Sequence, residues 1–325
     1  MQKYLITGFS GFVSRHFLDL LESFGNPVSI LGVDVRIPEF STSQYIHVKC
    51  HFEKTDLLDR AALERTTGMF RPDFVLHLAS FSSVAYSWKN PVACFANNTN
   101  IFLNLLESIR VHSLPCRILS VGSSEEYGSI SEKDLPLRED SPVNPLSPYA
   151  VARVSQEMLS KVYIKGYELD IVMTRSFNHI GPGQKEIFVV PSFAKQLAAI
   201  HRSGQSHGVL TTGDTGVIRD FVDVRDVVKA YHILLQRGVK GEIYNICSGQ
   251  GVTLEEVILR MAKMLSLHID LKVDPALLRL VDNHTVVGSC EKIQNTVGWR
   301  PLIPMDQSLA DILEFWKKSE GSSDV

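Results

Sequence analysis

Three side chains are spaced for proton chemistry. Tyr149 and Arg153 stand four residues apart in a segment, Ala150–Lys161, whose apolar positions repeat as in a helix, with Pro148 suited to its first turn. The two then share one helical face, and a cation beside a phenol favours the phenolate. Such a tyrosine can give or take a proton at a carbinol or a carbonyl. Ser123 closes the apolar run Arg117–Ser123 and could hydrogen-bond the same oxygen. Taken by themselves, these residues read equally well as a surface Tyr/Arg pair and a satisfied serine.

A second constellation suggests what would be bound. Tyr4-Leu5-Ile6 runs into Thr7-Gly8-Phe9-Ser10-Gly11. An amphipathic segment with Phe17, Leu18, Leu20, Leu21 and Phe24 follows, then the apolar run Val28–Val33, which ends at Asp34. This is strand, glycine turn, helix, strand, the dinucleotide-binding pattern. Gly8 lets the chain turn sharply, and Gly11, lacking a Cβ, lets a pyrophosphate approach free N–H groups at the helix N-terminus. Cofactor contacts are therefore expected from Gly8, Ser10, Gly11, Phe12 and Val13. Asp34 lies where a carboxylate accepts both hydroxyls of an adenine ribose. It would repel a 2′-phosphate, whereas Arg36 could pair with one. NAD(H) is expected in preference to NADP(H), which Arg36 keeps open. Ser14 replaces the third glycine of the pattern, at some cost in packing. The alternative is a βαβ unit that binds no nucleotide.

The elements that must position these residues alternate. After Asp34 come a short strand at Tyr45–Cys50, a helix from about Asp59 to Phe70, and a strand Phe74–Ser80 ending in the small residues Ala79 and Ser80. The helix Pro91–Arg110 carries Asn97, Asn98, Asn100 and Asn104, and an amide on its inner face could bond backbone or ligand. Nearly all-apolar strands alternating with helices predict an α/β doubly wound parallel sheet of the Rossmann type. Ligands in such sheets lie beyond the carboxyl ends of the strands, so Ser80, Ser123 and the glycine turn should share one crevice. From Asp170 the rhythm loosens into a strand Asp170–Asn178, helices at Pro191–Ser203 and Val224–Arg237, a strand Glu242–Cys247, and a capping box at Thr253/Glu256. The expected division is a nucleotide-binding domain over 1–169, with 221–248 returning to it, and a smaller C-terminal substrate-binding α/β domain over 170–325.

Composition narrows the partners. With 44% hydrophobic and 21% charged residues, a net charge of −3 and no basic run, the chain reads as an ordinary soluble protein and not as a nucleic-acid binder. No apolar stretch approaches the roughly 18–20 residues of a membrane span. The N-terminus enters a strand with no signal peptide. The five cysteines form no CxxC, as suits reduced thiols in the cytoplasm. His47 and His51 flank Cys50 without a fourth ligand, so no metal is expected.

The chain resembles the extended short-chain dehydrogenase/reductase family from Tyr4 to about Trp316. The resemblance is carried by Thr7-Gly8-x-x-Gly11, Asp56-Leu57, His77-Leu78-Ala79, Gly122-Ser123-Ser124-Glu125-Glu126-Tyr127-Gly128, Ser147-Pro148-Tyr149, Arg175–Gln184 (RSFNHIGPGQ) and Arg219–Asp226 (RDFVDVRD). It is most similar to nucleotide-sugar-modifying members, first the GDP-4-keto-6-deoxy-D-mannose reductases and then the GDP-mannose 4,6-dehydratases. The resemblance implies that Ser123 orients the sugar oxygen and Tyr149 is the acid/base. Arg153 takes the place of a lysine that holds the nicotinamide ribose. It keeps the charge, but as a larger group that cannot lend a proton. The resemblance also implies cofactor contacts at Asp56, Leu57, Leu78, Ala79, Ser80 and Asn98, and substrate contacts at Ser82, Ser124, Asn178, Arg219 and Arg279. Arginines suit a diphosphate; singly, Arg219 and Arg279 read as surface salt bridges. Glu125 stands where the dehydratases carry a catalytic carboxylate, but the reductases share the sequence around it. The implied reaction is hydride transfer to C4 of a GDP-6-deoxy-4-keto-hexose. 4,6-Dehydration is the alternative, and a nucleotide-binding relative weakened by Arg153 and Ser14 is the second. Members often form homodimers through two helices each, here Pro91–Arg110 and Ser147–Lys165, whose apolar residues could equally be core.

Overall fold

In a computed structural model that describes residues 1–319, the elements run β1 (Gln2–Thr7), α1 (Phe12–Ser23), β2 (Val28–Asp34), β3 (Val48–Lys54), α2 (Arg60–Phe70), β4 (Phe74–His77), α3 (Val84–Lys89), α4 (Pro91–Val111) and β5 (Arg117–Ser123). Then come α5 (Pro148–Tyr167), β6 (Asp170–Ser176), β7 (Asn178–Ile180), α6 (Val189–Arg202), β8 (His207–Thr212), β9 (Ile218–Asp223), α7 (Val224–Arg237) and β10 (Ile243–Ile246). The chain continues through β11 (Gly251–Thr253), α8 (Leu254–Met264), β12 (His268–Val273), β13 (Thr285–Val286), α9 (Glu291–Val297) and α10 (Met305–Ser319).

Seven parallel strands form one sheet in the order β10-β6-β5-β4-β1-β2-β3. Leu5, Ile6, Val75, Leu76, Ile118, Leu119, Ile171 and Val172 are fully buried, because helices cover both faces. One face packs with Phe17, Leu18, Tyr231 and Leu234 of α1 and α7, the other with Leu63, Phe102, Leu105 and Tyr163 of α2, α4 and α5. Strand order reverses beside β1, so a crevice opens beyond the ends of β1 and β4.

Three expectations differ from the structure. The third strand is Val48–Lys54 and not Tyr45–Cys50, because the Glu22 carboxylate of α1 takes the N–H groups of Ile46, His47 and Val48 before the ladder with β2 begins at Val28↔Val48. The expected domain change at residue 170 falls inside the large sheet, since β6 pairs with both β5 and β10. The expected strand Asp170–Asn178 also divides, and only its continuation, β7, leaves for a second sheet.

That second sheet is built on β9, with β7, β11 and β13 as its partners, and β8 pairs with β12. α6, α8 and α10 bury Phe193, Leu197, Val257, Met261, Leu309 and Ile312 against it. The capping box expected at Thr253/Glu256 is half made. Thr253 Oγ1 accepts the Glu256 N–H at 3.0 Å, but the Glu256 carboxylate is engaged by Arg260. Among the described residues no helix is long and apolar enough to cross a membrane, and no group of three or more His, Cys, Asp or Glu side chains is placed to hold a metal.

Candidate active site

The glycine turn is a tight joint between three strands. Gly8 has φ +70°, and a Cβ there would lie 2.7 Å from the Ala79 backbone nitrogen. Leu78 and Ala79 therefore press directly on the turn, with the Leu78 N–H on the Thr7 carbonyl and the Ala79 N–H on Thr7 Oγ1. Gly11 precedes α1 with no side chain capping the helix, so the N–H groups of the first turn, from Phe12 and Val13 onward, remain for an anion. The Asp34 carboxylate accepts the Ser10 and Arg36 N–H groups, each at 3.0 Å, and Ser10 Oγ donates to the Arg36 carbonyl. A cradle lacking Cβ atoms, an uncapped helix end and a carboxylate at the next strand end fit a dinucleotide. Asp56 Oδ1 accepts the Leu58 N–H, and the carbonyl of buried Leu57 accepts from Asn104.

Ser14 is not a packing defect. It is fully buried, and its hydroxyl donates to the Gly8 carbonyl at 3.2 Å, bracing the turn. Asn98 does not face a ligand with its amide. Oδ1 accepts the Phe81 N–H at 2.8 Å and Nδ2 donates to the Phe81 carbonyl at 3.1 Å, which fixes the loop carrying Ser80 and exposed Ser82. His77 bonds Thr7 through Nδ1. Burial, with the Arg153 charge nearby, pulls it down to about 3, so it is neutral.

Arg153 organises the other side of the crevice. α5 begins at Pro148, capped by Ser147 Oγ on the Ala150 N–H, and carries Tyr149 and Arg153 inward together. Arg153 Nε donates to Tyr149 Oη at 3.1 Å. Its NH1 donates to the Val121 carbonyl and to Gln156 Oε1, and its NH2 to Ser80 Oγ at 2.5 Å. One guanidinium thus ties the ends of β4 and β5 to α5. Ser123 ends β5, and its Oγ accepts the Glu125 N–H.

Ser124, Glu125, Asn178 and Arg219 line one pocket together with Asp282 and Asn283. Arg219 NH2 donates to Asp282 Oδ1 at 2.6 Å, and Arg279 NH1 reaches both Glu125 Oε1 at 3.2 Å and Asp282 Oδ1 at 3.3 Å. Arg219 is almost fully buried, unlike the surface salt bridge its sequence context allowed. Asn178 Nδ2 lies 3.5 Å from the Asp220 carbonyl. Sequence reading missed Glu126, Gln156, Asp282 and Asn283. For Glu126 a signal existed, the Ser-x-x-Glu spacing from Ser123. A complete capping box forms there. The other three lie far from any motif or inside a helix, without a spacing to mark them.

A family model described as GDP-mannose 4,6 dehydratase matches residues 5–312. GDP-6-deoxy-D-mannose reductase of Pseudomonas aeruginosa is 34% identical over 97% of both chains. GDP-mannose 4,6-dehydratase of Yersinia enterocolitica is 27% identical over 96% of this chain and 93% of its own length. Among solved structures, RMD from Pseudomonas aeruginosa complexed with NADPH superposes with a TM-score of 0.84 at 32% identity, covering 98% of this chain and 99% of that one.

Ser14→Gly restores the usual glycine, yet it should destabilise the protein by about 1–2 kcal/mol, through the lost hydrogen bond and the added backbone freedom in α1. Denaturant unfolding checks this. Equal or greater stability of the variant would mean that the Ser14–Gly8 bond contributes nothing.

Proposed function

We propose, from the premise that the chain belongs to the GDP-mannose 4,6-dehydratase family and is a nucleotide-sugar reductase, that it reduces the C4 ketone of a GDP-6-deoxy-4-keto-hexose with a nicotinamide cofactor. Gly8, Gly11 and the first turn of α1 would hold the pyrophosphate, and Asp34 the adenine ribose. A reduced nicotinamide, when bound, supplies the hydride. Ser123 Oγ holds the sugar oxygen. Tyr149 Oη gives that oxygen its proton as negative charge develops there, and the Arg153 Nε–H holds the tyrosine oxygen in place. Arg219 and Arg279 take the diphosphate, exchanging Asp282 and Glu125 for phosphate oxygens. What supports reduction over 4,6-dehydration is the higher identity to the Pseudomonas GDP-6-deoxy-D-mannose reductase, 34% over 97% of both chains, against 27% to the Yersinia GDP-mannose 4,6-dehydratase.

Incubation with the 4-keto-6-deoxy sugar nucleotide plus reduced cofactor, and separately with GDP-mannose, tests the reaction. Reduced cofactor should be consumed only with the keto sugar; conversion of GDP-mannose without net cofactor use would transfer the assignment to dehydration. In the same assay Arg153→Lys should lower kcat/KM about tenfold or more, because an ammonium cannot satisfy Val121, Gln156 and Ser80 while holding Tyr149. A gain in rate would support the alternative in which Arg153 limits a weak enzyme.

The preferred cofactor on this reading is NAD(H). The Asp34 carboxylate, fixed by two backbone N–H groups, puts negative charge where a 2′-phosphate would lie. The Pseudomonas structure was determined with NADPH, and Arg36 is exposed beside Asp34, so the choice is open to direct measurement. Equilibrium titration should give the lower Kd for NADH; tighter NADPH binding reverses the assignment.

The partner on this reading is a second copy of the chain. Of the apolar residues on the two long helices, Ile101 and Leu105 are core, whereas Phe95, Val151 and Met158 are each 42% exposed. Val151, Val154, Met158 and Val162 of α5 line a groove with Thr99 and Leu103 of α4. Sedimentation at micromolar concentration should show a dimer that Met158→Glu with Val162→Glu converts to monomer. A monomeric wild-type protein removes the proposal.

A further inference from the structure

Glu126 lies under the catalytic serine and is 1% exposed. Its Oε1 accepts the Ser123 N–H at 2.7 Å, closing the box in which Ser123 Oγ caps the same short turn. Its Oε2 has no hydrogen-bond partner. Gly122 packs so closely that a Cβ there would lie 2.3 Å from Glu126 Oε1. The carboxyl is therefore clamped between the end of β5 and the residues behind it.

The charged groups facing it are Arg175 on β6, and Glu157 and Arg153 on α5. Arg175 is committed elsewhere. Its Nε and NH2 donate to Glu157 at 3.0 and 3.2 Å, its NH1 to the Glu139 carbonyl, and its Nε lies 4.0 Å from Glu126 Oε2. Arg153 spends four of its five donors on Tyr149, Val121, Gln156 and Ser80 and makes no hydrogen bond to Glu126. An ionised carboxylate here would have one N–H bond and a bare oxygen in a site closed to bulk solvent, which is costly. The neutral acid avoids that cost. Burial, with Glu157 close by, pushes the carboxyl up to about 8.

We propose that Glu126 is a positioning residue which, as the neutral acid, holds the Ser123 turn so that the serine hydroxyl meets the substrate oxygen. On ionisation the bare Oε2 is drawn toward Arg175 Nε, 4.0 Å away, and the carboxylate, still bonded to the Ser123 N–H, carries the turn out of its catalytic position. The reaction assumed is the ketone reduction proposed above. At neutral pH the group is protonated and the turn is held, and activity falls as pH rises through about 8.

The test compares wild type with Glu126→Gln and Glu126→Leu. Glutamine keeps the acceptor and removes the titration, so Glu126→Gln should turn over within a few-fold of wild type at neutral pH and lack the alkaline fall. Glu126→Leu leaves the Ser123 N–H unpaired and should lose about tenfold or more in kcat at every pH, with nicotinamide affinity little changed. Identical alkaline limbs in wild type and Glu126→Gln overturn the proposal. If Glu126→Leu does not fold, the Glu126→Gln profile decides alone. Infrared difference spectroscopy supplies a readout that needs no substrate. A protonated-carboxyl band should be present at neutral pH in wild type and absent in Glu126→Gln, and absence of that band from wild type overturns the proposal. Wild type that shows the band but reduces no keto sugar would instead refute the assigned reaction.

Discussion

A buried guanidinium has five N–H donors, and each must find an acceptor or lose what water would have given it. Arg153 is 5% exposed, and the surrounding structure supplies four acceptors to it. Tyr149 comes from the same helix, Ser80 from the end of β4, the Val121 carbonyl from β5 and Gln156 from the next turn of α5. Gln156 then needs partners of its own and takes Ser120 Oγ and the Val121 carbonyl. Satisfying one cation therefore draws the ends of two strands and the face of one helix into a single geometry. That geometry sets the tyrosine oxygen beyond the sheet. A lysine at this position would ask less of its neighbours; the serine and glutamine suit the larger fork.

The second layer is attached by carboxylates. Asp220 takes the N–H groups of Ser248, Gly249 and Gly288 as well as Ser248 Oγ, which fixes two loops on β9 next to Arg219. Asp223 caps α7 and accepts from Ser308 of α10. Asp226 accepts the N–H groups of Leu302 and Ile303. The stretch RDFVDVRD contains one arginine for the pocket and three aspartates that each tie a distant segment. The stretch therefore serves mainly to hold the two layers together, and only its first residue lines the pocket.

The pocket itself is a balance of charge. Arg219 and Arg279 converge on Asp282, and Arg279 also holds Glu125. Two cations and two carboxylates facing one cleft can exchange partners with an anionic substrate at modest cost, because each interaction lost is replaced by one of the same kind. Asp282 and Asn283 sit in the long connection to β13, where the sequence has no periodicity or spacing to mark them.

Local chemistry made part of the protein legible from sequence. The alternation of apolar runs with helical segments determined the parallel sheet. The positive φ at Gly8 and the missing Cβ at Gly11 serve needs that act within a few residues, and so did the four-residue spacing of Tyr149 and Arg153, set by helical pitch. What tertiary structure decided depends on groups distant in the chain. Only packing could show that Ser14 braces the turn, that the Asn98 amide belongs to the Phe81 backbone, that the third strand starts at Val48 because of Glu22, and that Glu125 is held by Arg279. Side-chain hydrogen bonds across tens of residues leave no periodic trace in a sequence, since the partner can be any polar group that the fold brings within about 3 Å.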